Sequence, residues 1–62
     1  MTLKDVLTLT ESSQKIMLVI DFEEVTTTAK DLANKEVLLY AKVDAIETTT
    51  EGGTTYLVIG LK

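Results

Sequence analysis

The side chains of this sequence that could do chemistry are carboxylates, lysine amines, hydroxyls and two tyrosines, since it contains no His, Cys or Arg. Their absence excludes a thiolate nucleophile, a cysteine-based metal site and an imidazole base. A serine–lysine pair would need Ser12 or Ser13 with Lys15, which lie together in a predicted helix-to-strand turn. Adjacent acids such as Glu23 and Glu24 are typical of a solvated turn. We therefore predict a protein that is not an enzyme and has no metal site and no cofactor.

Threonine is the most conspicuous polar residue, with eight of the eleven threonines in residues 26–28, 48–50 and 54–55. One interpretation is structural, because threonine suits strand edges and helix caps. The other is that hydroxyls and backbone N–H groups around the Gly52-Gly53 loop, with Lys42 or Lys62 nearby, bind a small polar or anionic ligand. Tyr40 and Tyr56, which we expect on one outer face, could stack on a base or anchor a protein partner. The candidate ligand-binding residues are Tyr40, Lys42, Thr48, Thr50, Thr54, Tyr56 and Lys62.

Charge and hydropathy limit the partners and the compartment. The net charge is -4 and the isoelectric point about 4.5, which disfavours binding to duplex nucleic acid. The apolar run 16–20 is too short to span a bilayer, and the first residues lack a signal-peptide pattern, so we expect a cytoplasmic protein without membrane partners. With 45% hydrophobic residues the chain should fold, and its 62 residues predict one domain, 1–62.

Local patterns predict the elements. Thr2 with Asp5 forms a capping pair for a short helix that ends before Ser12, and Thr28 with Asp31 repeats it for a helical turn over residues 28–34, with Asn34 as a left-handed stop. Residues 15–22 predict a strand whose consecutive apolar residues indicate that both faces are at least partly covered. Residues 23–24 predict a turn, and 25–28 either a short strand or a lead into the next element. Period-two alternation predicts a strand over 36–47, and the glycine pair a hairpin into a last strand over 56–61.

These elements predict an α+β fold, with a small antiparallel sheet of three to four strands and a closing β-hairpin. Pairing Ala45 with Ile59 and Val43 with Leu61 would form one inner face from 37 to 45 with Leu57, Ile59 and Leu61. The outer face would be too apolar for water, which predicts a homo-oligomer, since small domains often add a partner to complete their core. The alternative is a monomer whose own helices cover that face. The candidate interface residues are Leu38, Tyr40, Ile46, Tyr56 and Val58.

The order of the elements resembles small α+β proteins of tailed phages and prophages of Gram-positive hosts. The resemblance rests on residues 1–7 (MTLKDVL), the strand 15–21, the segment 29–32 and the closing hairpin 37–61, and it covers nearly the whole chain. It is a pattern of hydrophobicity without a motif that transfers ligand residues, and the threonine-rich hairpin tip departs from it. It implies an accessory or anti-defence protein that acts without catalysis in the host cytoplasm.

Two functions from different classes follow. The first is an oligomeric binding protein that sequesters a nucleotide-like immune signal between subunits. The second is a protein–protein inhibitor or structural interaction module that binds a host protein through an acidic and apolar sheet face, with acids such as Glu23, Glu24, Glu47 and Glu51 meeting a basic surface. An excised piece of a larger β-domain is a third interpretation.

Overall fold

The computed structural model describes residues 1–62, which fold into four strands and three short helices. In chain order these are α1 (Leu3–Thr8), β1 (Lys15–Ile20), β2 (Glu23–Thr28), α2 (Ala29–Leu32), α3 (Glu36–Leu39), β3 (Val43–Glu51) and β4 (Thr54–Leu61). The predicted α+β class, the N-terminal helix, the helical turn near 28–34 and the closing hairpin are confirmed. None of the helices combines the length and the apolar character needed to cross a bilayer.

The four strands form one sheet in the order β2-β1-β4-β3. Two antiparallel hairpins, β1–β2 and β3–β4, meet through a parallel pairing of the central strands β1 and β4. The sheet is therefore mixed, and the prediction of an all-antiparallel sheet is wrong at this one junction. Because β2 and β3 lie at opposite edges of the sheet, the chain has to cross from one edge to the other between them, and α2 and α3 form this crossover.

The two predicted capping pairs begin helices. The backbone N–H of Thr2 donates to Asp5 Oδ2 at 3.0 Å, and the backbone N–H of Asp5 donates back to Thr2 Oγ1 at 3.4 Å. This reciprocal capping box satisfies two N–H groups that have no partner inside α1. At α2, the N–H of Asp31 donates to Thr28 Oγ1 at 3.2 Å. The predicted left-handed stop at Asn34 is wrong, because its φ is not positive.

The core lies between the helices and one face of the sheet, which we call the covered face. Leu3, Ile16 and Ile59 are completely buried there and connect α1 to the two central strands. Leu18, Ala29 and Leu32 extend the same cluster toward α2. Both central strands thus point alternate side chains into the core.

The predicted strand over 36–47 is wrong in its first half. Residues Glu36–Leu39 form α3, which has no side-chain cap, and Val37 is 92% exposed instead of lining an inner face. The pairing of Val43 with Leu61 is confirmed, whereas Ala45 pairs with Gly60 because a bulge between Val43 and Ala45 shifts the register. Ala45 therefore lies on the opposite side of the sheet from Ile59.

The turn between β1 and β2 also differs from its predicted position. Ile20 pairs with Glu23, so the loop consists of Asp21 and Phe22, and the two glutamates begin β2. The segment 25–28 is a strand, which was one of its two predicted alternatives.

Two isoleucines that pair across β3 and β4 give a matched test of the core. Ile59→Ala should lower the free energy of unfolding by about 2–5 kcal/mol, because it removes a fully buried side chain and leaves a cavity. Ile46→Ala, at its partner position, should change it by less than about 0.5 kcal/mol, since Ile46 is 45% exposed. Urea unfolding followed by circular dichroism measures both variants, and equal losses would contradict this description of the core.

The capping box predicts a pH dependence of stability. The hydrogen bond from the backbone N–H of Thr2, followed by that from its side chain, lowers the pKa of Asp5 below the ordinary value of 3.8. A pKa lower in the folded than in the unfolded state stabilises the fold above the unfolded value, and this stabilisation disappears as the pH falls through the folded value. The stability advantage of the wild type over Asp5→Asn should therefore shrink below about pH 3.8. Urea unfolding at a series of pH values tests this, and an advantage independent of pH would contradict it.

Candidate functional site

The side of the sheet that faces away from the helices is here called the open face. Alternation along the paired strands assigns side chains to it, because direct neighbours such as Met17 and Val58, or Val19 and Gly60, share a face. Its residues include Lys15, Met17, Val19, Glu24, Thr26, Ala45, Glu47, Thr49, Tyr56, Val58 and Gly60. Met17 is only 9% exposed although no helix covers this side. The open face therefore has an apolar centre formed by the central strands.

A depression of about 420 Å³ lies on the open face, at the end where β1 and β4 finish. Its floor is apolar and is formed by Val19, Ala45, Val58 and Gly60. Its rim consists of Asp21, Phe22, Asp44 and Glu47. The β1–β2 turn supplies the first two rim residues, and the bulged start of β3 supplies Asp44.

The electrostatic character of this depression is acidic. Three carboxylates line it and no lysine does, and Glu24 lies beside Val19 on the same face. Lys42 and Lys62 lie at this end of the sheet, where the N–H of Lys62 donates to the carbonyl of Lys42 at 3.0 Å, but neither residue lines the depression. The arrangement favours a ligand with apolar groups and positive charge.

Gly60 deepens the depression because it has no side chain, but the backbone conformation at this position does not require glycine. Its φ is not positive, unlike those of Gly52 and Gly53, which are +57° and +82°. A Cβ at position 60 would meet the Cβ of Ala45 at 3.6 Å, an ordinary van der Waals distance. Both glycines of the β3–β4 turn, in contrast, adopt the left-handed conformation that the sequence predicted for this hairpin.

The predicted ligand-binding residues do not form one cluster. Thr48, Thr50, Thr54 and Tyr56 lie at the hairpin end, where the hydroxyls of Thr50 and Thr55 are 3.2 Å apart. Lys42 and Lys62 lie at the opposite end of β3, a strand of nine residues that spans roughly 26 Å. The expectation that Lys42 or Lys62 lies near the glycine loop is therefore wrong.

The two tyrosines lie on opposite sides of the molecule, contrary to the prediction of one shared outer face. Tyr40 follows α3 in the helical layer, with the amine of Lys4 at 5.8 Å from the centre of its ring. Tyr56 lies on the open face with Val58. Leu38 packs against the core from α3, and Ile46 shares the covered face with Ile59. The five predicted interface residues are therefore divided between two surfaces, because residues 36–39 are helical and the bulge after Val43 turns Ile46 to the covered face.

A second, smaller depression of about 280 Å³ lies at the hairpin end. Thr48, Thr55 and Tyr56 line it together with Leu9 and Gln14, whose side-chain amide donates to the carbonyl of Thr55 at 3.3 Å. Its one charged residue is Glu11. No lysine lines this depression. The molecule has no group of three or more acidic side chains that could hold a metal ion.

Sequence reasoning missed most of the rim of the larger depression. It counted Glu47 among the acids that could meet a basic host surface, but it assigned no binding role to Asp21, Phe22 or Asp44. One signal for this site was present in the sequence: the consecutive apolar residues of 16–20 indicated a strand with both faces at least partly covered. The helices pack on only one of these faces, so the other, apolar face is the candidate binding surface.

Comparison with known proteins gives no relative from which a function could be transferred: no family model, no curated protein and no solved structure matches this chain.

The different roles of two glycines can be tested by the same substitution. Gly60→Ala should raise the free energy of unfolding by about 0.5 kcal/mol. Alanine fits the strand, and it lowers the conformational entropy of the unfolded chain relative to glycine. Gly53→Ala should lower it by about 1 kcal/mol, since its φ of +82° is unfavourable for alanine. Urea unfolding measures both effects. A loss for Gly60→Ala as large as that for Gly53→Ala would show that the backbone at position 60 requires glycine.

Proposed function

We propose that this protein is a non-enzymatic interaction module that binds a basic, apolar segment of another protein on the open face of its sheet. The observation that carries the proposal is the larger depression, where an apolar floor lies inside a rim of three carboxylates. Apolar contact would supply affinity, and the carboxylates would select a positively charged partner and speed its approach.

The missing helical layer on the open face favours a partner segment that lies across the sheet. Parallel strands usually have helices on both faces, and here the central parallel pair has helices on one face only. An amphipathic helix with lysine or arginine beside its apolar side chains would complete the missing layer, as helices do in three-layer α/β domains. The occupant we propose is therefore a basic amphipathic helix.

The charge distribution favours this function over nucleotide capture. A nucleotide carries phosphates, which need cations or converging N–H groups, whereas neither depression is lined by a lysine. The sequestration of a nucleotide-like signal stays a prediction from the sequence. The phage resemblance and the cytoplasmic location also stay predictions, and both are compatible with binding a host protein.

A second copy of this chain is a less favourable occupant of the open face. Two open faces stacked with their depressions in register would bring Asp44 and Glu47 of each copy close to the same acids of the other, and like charges repel strongly when they lose water. The predicted homo-oligomer is therefore an alternative outcome of the binding experiment, and sedimentation at neutral pH without peptide reports it.

The test uses a helical peptide of leucine and lysine as the probe and isothermal titration calorimetry as the measurement. The wild type should bind this peptide at low salt, more weakly as salt rises, and should not bind a matching peptide of leucine and glutamate. Asp44→Asn with Glu47→Gln should weaken binding about tenfold, because both carboxylates line the depression.

The matched control is Asp31→Asn with Glu36→Gln, which makes the same change of charge in the exposed part of the helical layer. This control should bind the lysine peptide like the wild type. Equal weakening by the two double variants would mean that only overall charge matters. A wild type that binds neither peptide and sediments as an oligomer would refute the proposal in favour of self-association.

A further inference from the structure

The turn between β1 and β2 has an unusual residue in an unfavourable conformation. Asp21 and Phe22 form a two-residue loop with φ of 49° and 67°, so both are left-handed, as in a type I′ turn. Such turns strongly favour Asn-Gly or Asp-Gly, because residues other than Gly, Asn and Asp are disfavoured at positive φ. Asp21 fits this preference and Phe22 does not.

Phe22 gains nothing from the fold in return. Its side chain is fully exposed, with a relative accessibility of 103%, whereas a phenylalanine usually contributes to stability by burying its ring. Glycine would suit the turn better, and a polar residue would suit the solvent better. Neither the backbone nor the core explains the presence of an aromatic ring at this position.

The ring of Phe22 lies beside the candidate site. Phe22 is the aromatic residue on the rim of the larger depression, next to Asp21 and across the floor from Asp44. The turn holds it at the tip of the hairpin, so it can contact a molecule lying on the open face without any movement of the strands. Its apolar surface lies directly beside the carboxylates that would attract a cation.

We propose that Phe22 is the principal anchoring residue of the open face, and that its ring packs on the lysine or arginine side chains of the docked segment. This inference rests on the proposed function, whose partner it specifies further. The alkyl part of a basic side chain covers the ring, and its charged end interacts with the ring face and with Asp21. Aromatic residues in such positions commonly dominate the affinity of an interface.

Three variants test the anchoring role with the same leucine–lysine peptide. Phe22→Gly should raise the melting temperature by about 5 °C, since it creates the favoured Asp-Gly turn, and should weaken peptide binding about 30-fold. Phe22→Trp should keep the affinity within about threefold, because it keeps an aromatic ring. Val37→Ala is the matched control, as it truncates a side chain that is 92% exposed on α3, and should bind like the wild type.

The Phe22→Trp variant also reports contact directly. The natural sequence has no tryptophan, so the fluorescence of this variant comes from position 22 with only two tyrosines as background. Its emission should shift to shorter wavelength when the peptide is added, because the ring leaves water.

The failures of the two proposals are distinguishable. A wild type that does not bind the peptide refutes the proposed function together with this inference. Peptide binding that is unchanged in Phe22→Gly, or tryptophan emission that does not shift at saturation, refutes the anchoring role and leaves the proposed function standing. A melting temperature that falls in Phe22→Gly would show that the fold itself needs Phe22, which also contradicts the inference.

Discussion

The parallel pairing of β1 with β4 is the constraint on which the rest of this structure depends. It joins two hairpins into one sheet, and it buries Ile16 of β1 and Ile59 of β4 in the same core. Since a parallel connection needs a crossover, the segment between β2 and β3 must pass over one face of the sheet. The helices α2 and α3 lie on that path, and with α1 they form the single covering layer. The open face is thus a consequence of the topology.

The small size of the chain explains why this face has no cover of its own. A domain of about 60 residues buries only roughly 60% of its unfolded surface, and here nearly all of the helical residues already serve one side. The apolar centre around Met17 and Val58 is bordered at one end by the carboxylates of the larger depression. Under the proposed function, a basic partner supplies the cover that the chain itself does not.

Local rules predicted the parts of the fold that local interactions determine. The capping pairs at Thr2 and Thr28 and the glycine turn at 52–53 each depend on residues close in sequence, and each is confirmed. Residues 36–39 were assigned wrongly because their alternation continues that of the true strand, and α3 has no capping side chain to distinguish it. The parallel pairing could not be predicted, since alternation specifies which side chains share a face and not which strands are neighbours. The bulge at Val43 then displaced the faces by one residue.

The candidate site was the least predictable part of the structure, because its residues do not follow the usual preferences of residue types for turns and strands. Glu23 and Glu24 look like turn residues and Phe22 like a strand residue, yet the turn forms two positions earlier, at Asp21 and Phe22. The reason is register: Ile16, Leu18 and Ile20 must point to the covered face, and the pairing of Ile20 with Glu23 leaves only two residues for the loop. The core therefore determines where the chain turns, and the residue at that point must accept a positive φ whatever its type. Phe22 suits neither the positive φ of the turn nor the solvent, and the proposed basic partner on the open face would account for an aromatic ring beside the acidic depression.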